Sequence, residues 1–129
     1  MIFRYAILYV ADVPATLAFY SAAFGIPAGF LHDSGDYGEL QTGHTRLAFS
    51  SIRLMRTLGK DVAATPPALP SFEIAFETDD VPAALARALA AGAELVQDVS
   101  RMDWGQTTAY VRAPEGTLVE LCTPVAAPG

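Results

Sequence analysis

Apolar and polar positions alternate at the start of "AILYVADVPATLAFY" (Ala6 to Tyr20), break at an aspartate and then recur with helical spacing, and "IAFETDDVPAALARA" (Ile74 to Ala88) does the same. Laid over each other, these stretches set Asp12-Val13-Pro14-Ala15 on Asp80-Val81-Pro82-Ala83 and Leu17-Ala18 on Leu85-Ala86, at a constant offset of 80 − 12 = 68 residues. Each copy predicts a strand, an aspartate whose side-chain oxygen caps a helix, a proline in the first turn where no amide hydrogen is needed, and an apolar helix stripe. The stripes are Val13, Leu17, Tyr20 and Phe24 in one copy and Val81, Leu85, Ala88 and Leu89 in the other. Gly25 and Gly92 fall where a helix end favours a left-handed residue.

Three strand-like runs follow each helix: Ala28 to His32, Gly38 to Thr42 and Thr45 to Ser51, then Glu94 to Val99, Thr107 to Arg112 and Leu118 to Thr123. Each half therefore reads β-α-β-β-β, and the chain is expected to be α+β. The Pro-rich, Ala-rich stretch Lys60 to Pro70 belongs to a linker at about 54–70, which joins modules at about 1–53 and 71–125 within one domain spanning 1–129.

Composition narrows the function classes. With 129 residues, 52% of them hydrophobic, the chain can bury one substantial core and is too short for two independent domains. Charge, Pro or Gly breaks every apolar stretch before the length of a membrane span, and "MIFRYAIL" lacks secretory architecture, so a cytoplasmic protein without membrane contact is expected. The single cysteine, Cys122, excludes an intramolecular disulfide framework and a cysteine-built zinc site. A net charge of −6 with scattered Lys and Arg argues against nucleic acid, whose phosphates call for a basic stripe.

The duplicated unit, its Asp-Val-Pro helix openings and the closing "YVRAPEGTLVELCTP" resemble the glyoxalase/bleomycin-resistance/dioxygenase family, also called the vicinal-oxygen-chelate superfamily. The likeness runs from Arg4 to Pro124. It implies two βαβββ modules whose mixed sheet curls around a cleft that holds a small molecule. The family's usual Asp-Pro-Asp-Gly turn is replaced here by Ala113-Pro114-Glu115-Gly116.

Alternation then assigns faces. Ala6, Leu8, Val10, Ile74 and Phe76 are expected toward the helices, which leaves Tyr5, Ile7 and Tyr9, and likewise Glu73, Ala75 and Glu77, toward the cleft. In the last strand Leu118, Glu120 and Cys122 share the cleft side. The resemblance implies metal-ligand places on the first and last strand of each repeat, here Tyr5, Phe49 (or Ser50), Glu73 and Glu120. Phe49 has no donor atom and tyrosine is an uncommon ligand, whereas catalytic zinc typically has three protein ligands. No metal cofactor is therefore expected. His32 and His44 lie in turn-like stretches away from these places and read as solvated loop residues.

Glu73 and Glu120 on one face would repel and raise a carboxyl pKa unless a cation or a donor lies between them. One reading sets a cationic ligand there; the other has Glu120 accept a hydrogen bond from Tyr5 or another neighbour. Tyr5, Tyr9, Phe49, Trp104 and Tyr110, with Tyr37 and Met102, complete an aromatic cup of the kind that binds small molecules. Three functions compete: a metal-free binding protein for a drug or metabolite, of the bleomycin-resistance kind; a metal-dependent lyase, isomerase or dioxygenase; and a metal-free enzyme with Glu120 or Glu73 as general base. The ligand set favours the first, with a small molecule as partner and a homodimer as the assembly.

Overall fold

In a computed structural model, which describes residues 1–125, the two Asp-Val-Pro segments fold alike. Asp12 (φ −135°, ψ 99°) accepts from the Ala15 amide at 3.0 Å, and Asp80 (φ −135°, ψ 84°) accepts from the Ala83 amide at 3.1 Å. They open helices α1 (Val13–Phe24) and α3 (Val81–Ala90). Left-handed glycines follow both, Gly25 at φ 71° and Gly92 at φ 110°. Residues 126–129 of the expected domain lie outside the described residues.

The chain divides into two units, Met1–Pro66 and Pro67–Gly129. The first holds β1 (Tyr5–Val10), α1, β2 (Ala28–Leu31), β3 (Tyr37–Leu40), β4 (Arg46–Ser51) and a short helix α2 (Ile52–Thr57). The second holds β5 (Glu73–Glu77), α3, β6 (Glu94–Arg101), β7 (Thr107–Arg112) and β8 (Leu118–Cys122). Sheet order is β1-β4-β3-β2 in one and β5-β8-β7-β6 in the other, with the first pair parallel and the rest antiparallel.

The likeness of the units extends to their irregularities. The β2/β3 register slips between Ala28 and Phe30, and the β6/β7 register slips at the matching place, between Leu95 and Gln97. A second slip, between Gln97 and Ser100, belongs to β6/β7.

Each unit buries its helix stripe on its own sheet: Val13, Leu17 and Tyr20 with Leu40, Leu47 and Phe49 in the first, and Val81, Leu85 and Ala88 with Val111, Val119 and Leu121 in the second. Removing such apolar surface from water supplies the main driving force for folding. The stripes end differently from the expected ones, because Ala23 rather than Phe24 is fully buried and Leu89 stays exposed. Gly38 lets α1 approach β3 closely: a Cβ there would lie 2.6 Å from Leu17 Cδ1 and 3.1 Å from the Phe30 carbonyl oxygen.

Residues 54–57, at the start of the expected linker, belong to helix α2. Ser51 is the reason. Its hydroxyl accepts from the Leu54 amide at 2.9 Å and donates to Asp36 Oδ1 at 2.7 Å, and Arg53 Nη2 meets the same oxygen at 2.7 Å. These two bonds hold the Asp36 carboxyl below the usual carboxylate range.

Candidate functional site

Strand pairing fixes which side chains share the face turned away from each helix, since directly paired residues point the same way. In the second unit Ala75 pairs with Glu120 and Glu120 with Tyr110, while Glu73 pairs with Leu118 two places along. Glu73, Glu120 and Tyr110 therefore share the face opposite α3. Tyr110 donates its phenol hydrogen to Glu120 Oε2 at 2.6 Å, with both side chains half-buried. That bond, together with burial and the nearby carboxylates, pushes the Tyr110 phenol well above the usual tyrosine range. Burial and the Glu120 charge push Glu73 upward. Cys122, next but one along β8, is buried; burial and Glu120 also raise its thiol.

In the first unit the face away from α1 carries Tyr5, Ile7 and Tyr9, each exposed. Ile7 pairs with Ala48 and Ala48 with Glu39, so Glu39 belongs to that face, and Tyr37 joins it through Ser50. Tyr37 donates to Glu39 Oε2 at 2.7 Å. Burial and this bond raise the Tyr37 phenol well above its ordinary value.

The pairing also corrects one expected contact. Phe49 is 0% exposed and its ring lies 4.9 Å from that of Tyr20 in α1, so it packs into the helix side of the sheet rather than lining a ligand surface. Because Ile7 is the repeat equivalent of Ala75, the first-unit counterpart of Glu120 is Ala48, which is 0% exposed. By the same register Glu39 stands where the second unit has Tyr110. The alternation that located Glu120 was unreadable in β4, whose residues Leu47 to Ser51 are all buried, so neither face shows as polar. Glu39 escaped notice in a four-residue strand; its signal was a polar residue two places from Tyr37.

Trp104 is 63% exposed in the turn between β6 and β7, where its indole N–H donates to Gln106 Oε1 at 2.7 Å and Gln106 Nε2 donates to the Thr123 carbonyl at 2.8 Å. Met102 is half-buried beside it. His32 and His44 are exposed in loops, with His32 Nδ1 in a turn contact with Ser34 Oγ at 2.8 Å.

Residues 2–121 match the model of the Glyoxalase/Bleomycin resistance protein/Dioxygenase superfamily, and the chain belongs to that superfamily. A solved glyoxalase-related enzyme from Fulvimarina pelagi is similar, with a TM-score of 0.80 and 24% identity over 98% of this chain and 93% of that one. A glyoxalase/bleomycin resistance protein/dioxygenase family enzyme from Burkholderia phytofirmans PsJN gives 0.79 and 20%, over 98% and 100% of the two chains. A protein of unknown function from Agrobacterium tumefaciens str. C58 gives 0.78 and 26%, over 96% and 94%. No curated protein matches the chain.

At the superfamily's metal-ligand places the first unit offers Tyr5 and Ala48, and the second Glu73 and Glu120. Ala48 has no donor atom. Among the described residues no group of three or more His, Cys, Asp or Glu side chains could hold a metal ion. Within neither unit do these places supply the three protein ligands that a catalytic zinc site typically takes. Among those residues, too, no helix is long and apolar enough to cross a membrane.

Proposed function

We propose that this chain is a binding protein for a small drug-like molecule or metabolite, of the bleomycin-resistance kind, which works without a metal and contacts its ligand through Glu120, Tyr110 and Glu73 of the second unit, while Tyr5 and Tyr9 offer an aromatic contact surface on the first. The observation that carries this reading is the 2.6 Å bond from Tyr110 to Glu120. A phenol that donates to the carboxylate fixes its direction and leaves its other oxygen to accept from a ligand donor. Trp104 is proposed as an outer contact, since it is exposed at a hairpin turn.

The reading includes a homodimer in the cytoplasm. Support comes from the edge strands β1, β2, β5 and β6, which expose backbone donors and acceptors along one side, and from a lone buried thiol, which suits a reducing compartment. Sedimentation that gives a monomer at micromolar concentration would count against the dimer.

Metal analysis and calorimetry with bleomycin as the probe test the function. The expected result is less than stoichiometric metal, and saturable binding that Glu120→Gln weakens by roughly 1.5 to 3 kcal/mol, the worth of a charged hydrogen bond. One equivalent of zinc, nickel, manganese or iron that the Gln variant loses would overturn the reading and put the protein among the metal-dependent lyases, isomerases or dioxygenases of the superfamily.

A further inference from the structure

We propose that Glu39, oriented by Tyr37 on the face of the first sheet opposite α1, selects ligands that carry a protonated aliphatic amine next to an aromatic ring. The proposal deepens the small-molecule reading above and rests on it, but it concerns a different residue on a different sheet.

Three observations converge on Glu39. It pairs with Ala48 on one side and with Phe30 on the other, which places it mid-sheet rather than at a strand end. Directly opposite it on β4, Ala48 contributes only a methyl group, and the next β4 side chain on that face is the half-buried Arg46, two places along. The surrounding side chains are aromatic and reachable, with Tyr5 and Phe30 each 48% exposed and the Phe30 ring 6.4 Å from that of Tyr37. Tyr5 stands on the same face of the sheet, on β1.

The chemistry follows from this arrangement. Tyr37 fixes the carboxylate through Oε2 at 2.7 Å, and a neutral phenol remains a donor throughout the physiological range. The other carboxylate oxygen is the acceptor for an ammonium group, in a charge-assisted hydrogen bond. Tyr5 and Phe30 offer flat apolar surface to a ring, and their π faces attract a cation near it. A carboxylate set among rings discriminates through charge, because a neutral ligand of the same shape gains the ring contact alone. The net charge of −6 draws such a cation to the protein.

Benzylamine and the near-isosteric benzyl alcohol test this as probes, titrated into the ¹⁵N-labelled full chain and followed by amide shifts. The expected result is shifts on β3 and β4 with benzylamine at about fivefold or more tighter affinity than the alcohol, less than a buried charged pair would give because the site is partly exposed. Glu39→Gln should erase the preference and leave the alcohol's affinity unchanged. Equal affinity for the two probes in the wild-type protein overturns the proposal, even where the Gln variant fails to fold, as does a preference that survives in a folded Gln variant. Shifts confined to β7 and β8 overturn it too, while leaving the Glu120 reading standing. A β3 and β4 response that Glu39→Gln abolishes, in a protein where Glu120→Gln changes no binding, supports Glu39 and removes Glu120.

Discussion

Glu73 carries charge at a cost that depends on pH. Burial and Glu120 raise its carboxyl above the ordinary 4.5, so the folded chain holds that proton more tightly than the unfolded one. The resulting contribution to stability is present below the unfolded value and is lost as pH rises through the folded one. At neutral pH an ionised Glu73 faces the Glu120 charge, and Glu73→Gln should raise the melting temperature there. The gain should vanish below about pH 4, where both proteins carry a neutral group; melts across the acid range check it. Tyr110 behaves similarly at the alkaline end. Its raised phenol stabilises the fold up to the ordinary value of 10.0, and that contribution is lost as pH climbs from there through the folded value. In a spectrophotometric titration Tyr110 should therefore ionise late. Glu120→Gln, which removes the charge that holds the proton, should move that step back toward 10.0.

At the scale of elements, the contact between α1 and β3 leaves little room for an added atom. Gly38→Ala would drive a methyl group to 2.6 Å from Leu17 Cδ1, against a helix already packed on its sheet. We expect a loss of about 1 to 3 kcal/mol, read by urea denaturation, with Leu17→Ala in the same chain recovering part of it by making room. The caps are the contrasting case. Asp12→Ala and Asp80→Ala each remove one acceptor from a helix start and should cost about 1 kcal/mol apiece, close to additively, because each acts within its own unit. These caps were legible in the sequence, since Asp-Val-Pro is a local signal with a local cause. Helix α2 was hidden, because its decisive group, the Ser51 hydroxyl, is oriented by Asp36 fifteen residues away and stands ahead of a Pro-rich and Ala-rich stretch.

For the molecule as a whole, duplication made the fold readable while leaving the site half-read. A fixed 68-residue offset carried the strand and helix of one unit onto the other, and the face assignments for β1, β5 and β8 followed because their two sides differ in polarity. The offset does not hold through the later strands. Ala48 and Glu120 lie 120 − 48 = 72 residues apart, so the constant shift could not name Ala48 as the counterpart of Glu120. Identifying the donor-free position required the hydrogen-bonded register. The segment between α2 and β5 contains neither helix nor strand and is exposed along nearly all its length, so limited proteolysis should cut first between Lys60 and Phe72. First cuts within β3 or β7 would contradict that expectation.

The shared register slip at Ala28/Phe30 and Leu95/Gln97 shows that the two backbones keep step even where pairing is irregular, and this makes the faces exchangeable. Glu39 and Ala48 occupy the backbone positions that hold Tyr110 and Glu120 in the second unit. The paired change Glu39→Tyr with Ala48→Glu would therefore set a phenol and a carboxylate at paired positions of the first sheet, with the acceptor moved one strand across and the neighbours of the fully buried Ala48 obliged to make room for it. Duplication has left this chain with its own template for redesign, a second scaffold on which a binding surface can be rewritten while the original stays intact.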